Sequence, residues 1–183
     1  MFNLNESLRM LDTFSSVGAR HFDFTFLDLD GQKRGFRAQQ SVRQLYSSLP
    51  RLLPGLAERQ NSLIVRPVAE DVTLVQLDDL DAVALQRVQS VAFLTLATSP
   101  GNHQAWVAVS GFNNAKDFAR RLRKGTGADL SASGATRIAG CPNYKRKYEP
   151  NFIRGSFNEF GHSDRGEGMS APRTLFANGL PHF

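Results

Sequence analysis

Apolar positions along the chain change period several times, and each change marks an element. Asn5-Glu6-Ser7 precedes Leu8, Leu11 and Phe14, the spacing of an amphipathic helix that should end near Gly18. From His21 to Asp28 the residues alternate. Phe22, Phe24 and Phe26 face one way and Asp23, Thr25 and Leu27 the other, which predicts a strand with one strongly apolar face. Asp30-Gly31 is a hairpin turn signal, with Lys33 to Arg37 as the returning strand. Ser41 can cap a helix carrying Val42, Leu45, Leu49 and Leu52, with Pro54-Gly55 as its stop. Ser62 to Val68 and Val72 to Leu77 read as strands around a short acidic turn. Asp81 to about Ser90 reads as helix, Val91 to Thr98 as strand, Ser99-Pro100-Gly101-Asn102 as turn and His103 to Ser110 as strand. A helix capped by Asn113 or Asn114 should run through Lys124 and stop at Gly125. From about Ser156 the chain turns polar and Gly-rich and its periodicity ends. The expected division is therefore residues 1–155, a folded domain, and 156–183, a poorly ordered tail or a linker into a further domain.

Helices and strands alternate without a repeated βαβ rhythm, and several strands pair as hairpins. The expected class is α+β: an antiparallel or mixed sheet with helices packed on it. With 183 residues, of which 41% are hydrophobic, one domain can bury a sizeable core. The one cysteine, Cys141, can make no internal disulfide, which fits a reducing compartment. It has no base partner nearby in sequence and reads as a small packed residue. No run reaches the ~18 apolar residues of a membrane span, and the N-terminus lacks the pattern of a signal peptide. The expectation is a soluble cytoplasmic protein without a membrane partner.

The charge is uneven. Residues 1–112 hold 10 basic and 11 acidic side chains, whereas residues 113–183 hold 12 and 6. The whole excess of +5 therefore sits in the last third, and concentrated positive charge attracts polyanions. There is no phosphate loop of the P-loop or G-x-G-x-x-G kind and no Cys/His cluster with zinc spacing.

Chemistry can sit in three places. The first is Leu74 to Asp81, where an apolar strand delivers Asp78, Asp79 and Asp81 at its end. Carboxylates that close repel and raise one another's pKa unless a cation lies between them, and oxygen ligands suit magnesium or manganese. The competing explanation is a solvated first helical turn, where the dipole favours acids. Strict alternation sends Asp78 and Asp79 to opposite faces and leaves Asp79 and Asp81 on one. If Asp78 and Asp79 act together, the strand must bulge or end between them. The second place is Thr98 to Trp106, where a turn with Ser99 and His103 suits phosphate oxygens; a lone histidine at a strand edge is more often plain surface, and Trp106 reads as core. The third is Arg137 to Tyr148. Its tyrosines are interleaved with four basic residues, Arg137, Lys145, Arg146 and Lys147, behind a helix carrying Lys116, Arg120, Arg121, Arg123 and Lys124. Such a segment grips phosphates and stacks bases, or merely solubilises the surface.

Taken in order, these segments resemble the RepB-like plasmid and phage replication primases of the archaeo-eukaryotic primase superfamily. The resemblance runs from about Ser62 to Arg154. It rests on Ile64-Val65-Arg66-Pro67, Leu77-Asp78-Asp79-Leu80, Thr98 to Trp106, Ala128-Asp129 after a helix, and Arg137-Ile138-Ala139-Gly140 followed by Asn143 and Lys145. It implies a primase-like catalytic core, with an RRM-like sheet, flanking helices and a second small α/β unit. It implies a metal-binding pair in Asp78 and Asp79 with Asp129 as third acid; Asp79 and Asp81 form the other possible pair. Ser99 and His103 would meet the incoming triphosphate, and Arg137, Asn143 and Lys145 the nucleotide or template. Arg120, Arg121, Arg123, Lys124, Arg146 and Lys147 are the expected template contacts. The implied activity is primer synthesis by nucleotidyl transfer with Mg2+ or Mn2+, on a single-stranded DNA template, from nucleoside triphosphates. The implied setting is a monomer in a bacterial cytoplasm, beside a helicase or relaxase of the same replicon. A different class competes: a non-catalytic RRM-like module that binds single strands and whose acids only cap helices.

Overall fold

Asn3 accepts the Glu6 N–H through its side chain and opens α1 (Leu4–Ser16). The computed structural model describes residues 2–111, 114–146 and 151–157. After α1 the chain forms β1 (Ala19–Leu27) and β2 (Lys33–Ser41), joined at Asp28–Gln32, where the Asp28 carboxylate accepts the Asp30 and Gln32 N–H groups. Ser41 and Gln44 cap each other's backbone at the start of α2 (Val42–Glu58). There follow β3 (Ser62–Ala69), β4 (Thr73–Leu80), α3 (Ala82–Val88), β5 (Leu94–Ser99), β6 (Asn102–Val109) and α4 (Ala115–Thr126). Four short strands complete the described chain: β7 (Thr136–Arg137), β8 (Pro142–Asn143), β9 (Asn151–Phe152) and β10 (Arg154–Phe157).

Several boundaries differ from expectation: β2 runs on to Ser41 rather than ending at Arg37, and β5 begins at Leu94 rather than Val91. Pro54-Gly55 does not stop α2, which carries Pro50 and Pro54 internally. A proline inside a helix costs ~3 kcal/mol. Against the two prolines stand four buried leucines, Leu45, Leu49, Leu53 and Leu56, each contributing ~1.5–3 kcal/mol, so packing outweighs the missing rungs. Likewise α4 passes Gly125 and ends at Gly127, whose φ of +75° places it in the left-handed cap that glycine accepts most readily. Last, β10 carries the chain to Phe157, two residues past the expected boundary. Residues 158–183 lie outside the described residues.

Among the described residues all strand pairing is antiparallel. One sheet runs β2-β1-β3-β7, a second β10-β5-β6-β4, and β8 pairs with β9. Phe14 of α1 joins the two large sheets. Its ring meets Phe22 of β1 at 6.3 Å, Phe93 at 5.5 Å and Trp106 of β6 at 4.9 Å, all edge-on. Around it α1, α2 and the inner faces of both sheets share one core. The other face of the second sheet, with Val75, Leu77, Ala105 and Val107, packs on α3 and α4 in a separate core. The second sheet is thus covered on both sides, and its β4–β6 edge carries the acidic strand end. Cys141 is packed as expected: it is buried, and burial pushes its thiol pKa to about 11.

Candidate active site

The acids of β4 sit on a break in the strand. Leu77 pairs with Ala105 and Leu80 with His103, so two residues separate the pairs on β4 where one does on β6. Leu77 and Leu80 therefore bury in the same core, although strict alternation would oppose them. The residues of the bulge are Asp78 and Asp79. Asp79 adopts φ +56°, a left-handed conformation unusual outside glycine, and its N–H donates to the Asp78 carboxylate at 2.9 Å. The bulge that joint action of this pair requires is present. Asp81 is committed elsewhere: it caps α3, accepting the Ala84 N–H at 2.7 Å.

Asp129 lies on the loop after α4. Its N–H donates to the backbone oxygen of Asp78 at 3.0 Å, which ties the third acid to the first. Burial holds the Asp78 carboxyl above the usual carboxylate range. The charges of Asp79 and Asp129 push the same way, against hydrogen bonds from the Asp79 N–H and Gln104. Asp129 moves oppositely. The Ser131 N–H and hydroxyl, each 2.8 Å away, hold it below the usual range, and the charge of Arg123 adds to this. Asp78 and Asp129 thus share a neighbourhood but shift in opposite directions.

Residues that the motifs do not announce hold this arrangement. Gln76, fully buried in β4, accepts the Gly134 N–H at 2.8 Å and donates to the Ala135 oxygen at 2.9 Å, strapping down the loop that bears Asp129. The Gln76 backbone oxygen takes the Arg123 Nε at 3.0 Å. Gln104, buried in β6, bonds Asp78 on one side and accepts the Thr136 hydroxyl at 2.6 Å on the other. The available signal is an inward-facing glutamine in an otherwise apolar strand, since buried polar side chains require partners.

The other expected residues divide into groups. His103 lies between Leu80 and Ala97 and shares the face of Ala105, whereas Asp78 shares that of Gln104. The hydrogen bonds that hold the acids do not include it. Ser99 accepts from Asn102 at 3.2 Å within the β5–β6 turn. Asn143 is buried; it donates to the Thr98 oxygen at 3.3 Å and accepts the Lys145 N–H at 3.2 Å, so it joins the last basic segment to that turn. Arg137, half-buried on β7, follows Thr136 and pairs with Ile64. Arg120 and Arg121 both pair with Asp117 at 3.0 Å, and Arg146 reaches Asp30 at 2.8 Å. Lys116 and Lys124 stand exposed on α4 and Lys145 beyond β8. Lys147 and Tyr148 lie outside the described residues.

The RepB DNA-primase N-terminal domain family matches residues 27–158, a span that takes in the bulge, the strapped loop and the turn. The chain belongs to this family. Two solved RepB′ structures share the RepB-type fold with it. The crystal structure of primase RepB′ is 25% identical, with a TM-score of 0.67 over 82% of this chain and 56% of that one. The catalytic domain of RepB′ in complex with initiator DNA is 26% identical, with a TM-score of 0.66 over 84% and 85%. The chain thus spans little more than half the length of the first of these. The AEP domain of the cyanophage S-2L primase-polymerase, 10% identical, matches with a TM-score of 0.56 over 85% and 90%, and shows the fold alone. No curated protein matches.

Among the described residues of this RepB-family chain, no three His, Cys, Asp or Glu side chains stand close enough to hold an ion. The reason is local: Asp129 is turned onto Ser131, and Asp81 onto its helix cap. The donor chemistry nonetheless fits a hard divalent cation. Every candidate ligand is a carboxylate oxygen, and Asp78 stands where a nearby cation would restore its ordinary acidity. Among the described residues no helix is long and apolar enough to cross a membrane.

Proposed function

We propose that this chain is the catalytic domain of a replication primase or primase-polymerase, joining nucleoside triphosphates on a single-stranded DNA template. The observation that carries the reading is the bulge at Asp78-Asp79, with Asp129 tied by its backbone to Asp78. Family membership supports it, as does the likeness to a RepB′ catalytic domain that binds initiator DNA.

In the reaction a 3′-oxygen attacks the α-phosphorus, a new P–O bond forms, and the bond to the β-phosphate oxygen breaks. Pyrophosphate leaves, and the hydroxyl proton passes to solvent. Magnesium or manganese held by Asp78, Asp79 and Asp129 would lower the pKa of the attacking hydroxyl and stabilise the leaving pyrophosphate. To join the pair, Asp129 turns off Ser131; Gln76 and Gln104 keep the loop and strand in place while it does so. Ser99 and His103 serve the triphosphate, and Arg137 and Lys145 line its approach, with Asn143 fixing the segment that bears Lys145. Lys124 on α4 meets the template directly. Arg120, Arg121 and Arg146 exchange an exposed ion pair, worth only ~0–1 kcal/mol, for a phosphate, and Lys147 extends that row. Arg123 acts as a positioning residue, through Gln76. A helicase or relaxase of the same replicon as partner, and a monomeric state, belong to the same proposal.

One observation favours the competing single-strand binding module: the three carboxylates do not converge within coordinating distance. Incorporation of labelled nucleotide on a single-stranded template with manganese separates the two. Extension with release of pyrophosphate, lost in Asp78→Asn and in Asp79→Asn, supports the primase. Template binding without incorporation supports the module. Loss in Asp81→Asn with activity kept in Asp78→Asn would move the pair to Asp79 and Asp81.

A further inference from the structure

Residues 31–57 contain five basic side chains and no acidic one. The sum over residues 1–112 hides this, because acids elsewhere in that span cancel it. Folding cancels it only at Arg34. Asp28 takes Arg34 at 2.7 Å, Asp30 takes Arg146, Asp12 accepts the Tyr46 hydroxyl, and Asp23 accepts the Gln39 N–H. The nearby carboxylates are thus engaged, and Arg37, Arg43 and Arg51 have no ion-pair partner among the described residues.

Two of these arginines face one feature. An open cleft of ≈ 410 Å³ lies between β2 and α2, lined by Arg37 from the strand and by Ser47, Ser48, Arg51 and Leu52 from the helix. Arg37 is held in place by stacking over the Phe26 ring at 5.7 Å. The Ser47 hydroxyl donates to the Gln44 carbonyl at 2.9 Å, so its oxygen is oriented, and Ser48 lines the cleft beside it. Two guanidinium forks and a hydroxyl on opposite walls suit tetrahedral oxyanions.

We infer that this β2–α2 cleft binds the phosphates of a single nucleic-acid strand passing across it, on a different sheet from the carboxylates. A strand fits better than a free nucleotide. No aromatic ring lines the cleft to hold a base, and it is open along the edge strand β2 rather than closed around a ligand. Contact through phosphates alone makes the binding independent of base sequence. The inference adds a second strand contact to the primase reading but does not require nucleotidyl transfer.

The test is fluorescence anisotropy of labelled oligothymidylate and of a mixed-sequence oligonucleotide, titrated with salt, on the full chain. Each phosphate neutralised on a single strand contributes ~0.7 to the slope of log affinity against log salt. Arg37→Gln with Arg51→Gln should therefore lower the slope by ~1.4 and weaken binding roughly 10- to 30-fold at 0.1 M salt, equally for both oligonucleotides. Arg37→Lys with Arg51→Lys should keep the slope. If the double glutamine variant does not fold, Arg51→Gln alone, at an exposed helical position, should lower the slope by ~0.7. Unchanged slope and affinity in folded variants would overturn the inference. So would loss of dTTP binding with strand binding intact, which would mark a nucleotide site. Failure of the primase reading looks different: a wild type that binds strands through the cleft and incorporates nothing.

Discussion

Replacing Gln76 by leucine tests whether the loop bearing Asp129 is strapped by one buried side chain. The change keeps the volume similar and removes both amide contacts. It leaves the Gly134 N–H and the Ala135 carbonyl without their partner at 2.8 and 2.9 Å. A partly buried backbone group left unsatisfied costs ~1–3 kcal/mol. Two such groups, less about 1 kcal/mol returned by the added apolar surface, leave a loss of ~1–5 kcal/mol. For a domain of this size each kcal/mol lowers Tm by ~2–4 °C, so Gln76→Leu should melt roughly 2–20 °C below wild type. Thermal unfolding followed by circular dichroism measures this. A second readout separates the strap from general core damage. Amide hydrogen exchange should speed up first in residues 128–135, ahead of β5 and β6. A Tm within 1 °C of wild type, or exchange that speeds up evenly across the second sheet, would refute the reasoning.

Three further outcomes follow from the same geometry. Asp78 titrates above its ordinary range because it is buried, so it contributes most to stability when protonated, and that contribution is lost as pH rises through its raised value. Metal-free Asp78→Asn should accordingly melt above wild type at pH 7, with the gap closing in acid; a variant that melts lower at neutral pH would contradict this. His103→Ala should impair nucleotide use more than template binding, read by titrating each separately, and the reverse split would contradict its assignment to the triphosphate. Phe14→Ala removes three edge-on ring contacts between the sheets and should cost ~3–5 kcal/mol in urea unfolding; a loss under 1 kcal/mol would mean that the two sheets do not depend on this joint.

Much of this was legible in the chain because the decisive signals are local. The Asp30-Gly31 turn, the Ser41 cap and the alternation of Phe22, Phe24 and Phe26 each act within a few residues and came out as read. The conflict between alternation and a working Asp78-Asp79 pair also announced the bulge. What stayed hidden depends on distant partners. Arg146 lies 116 residues from Asp30, and the burial that carries α2 through its prolines comes from β1 and α1. Gln76 and Gln104 look like ordinary polar positions until the loop and Thr136 arrive beside them. The charge sum over the first 112 residues concealed the segment lining the β2–α2 cleft, because acids distant in space cancelled it on paper.

The left-handed backbone at Asp79 has a consequence for anyone seeking a sturdier version of the domain. Away from glycine, asparagine and aspartate tolerate that conformation best, and it costs most other residues ~1–2 kcal/mol. Asp79→Gly therefore relieves the chain, and Asp78→Asn removes a carboxylate that burial disfavours. If the acids hold the metal as proposed above, selection for thermal stability alone would erase them one after the other and cost the protein its incorporation. A stabilisation campaign has to screen for retained incorporation at every round, and a natural variant in which these acids have become Asn or Gly should be sought among the more heat-resistant members rather than among damaged ones.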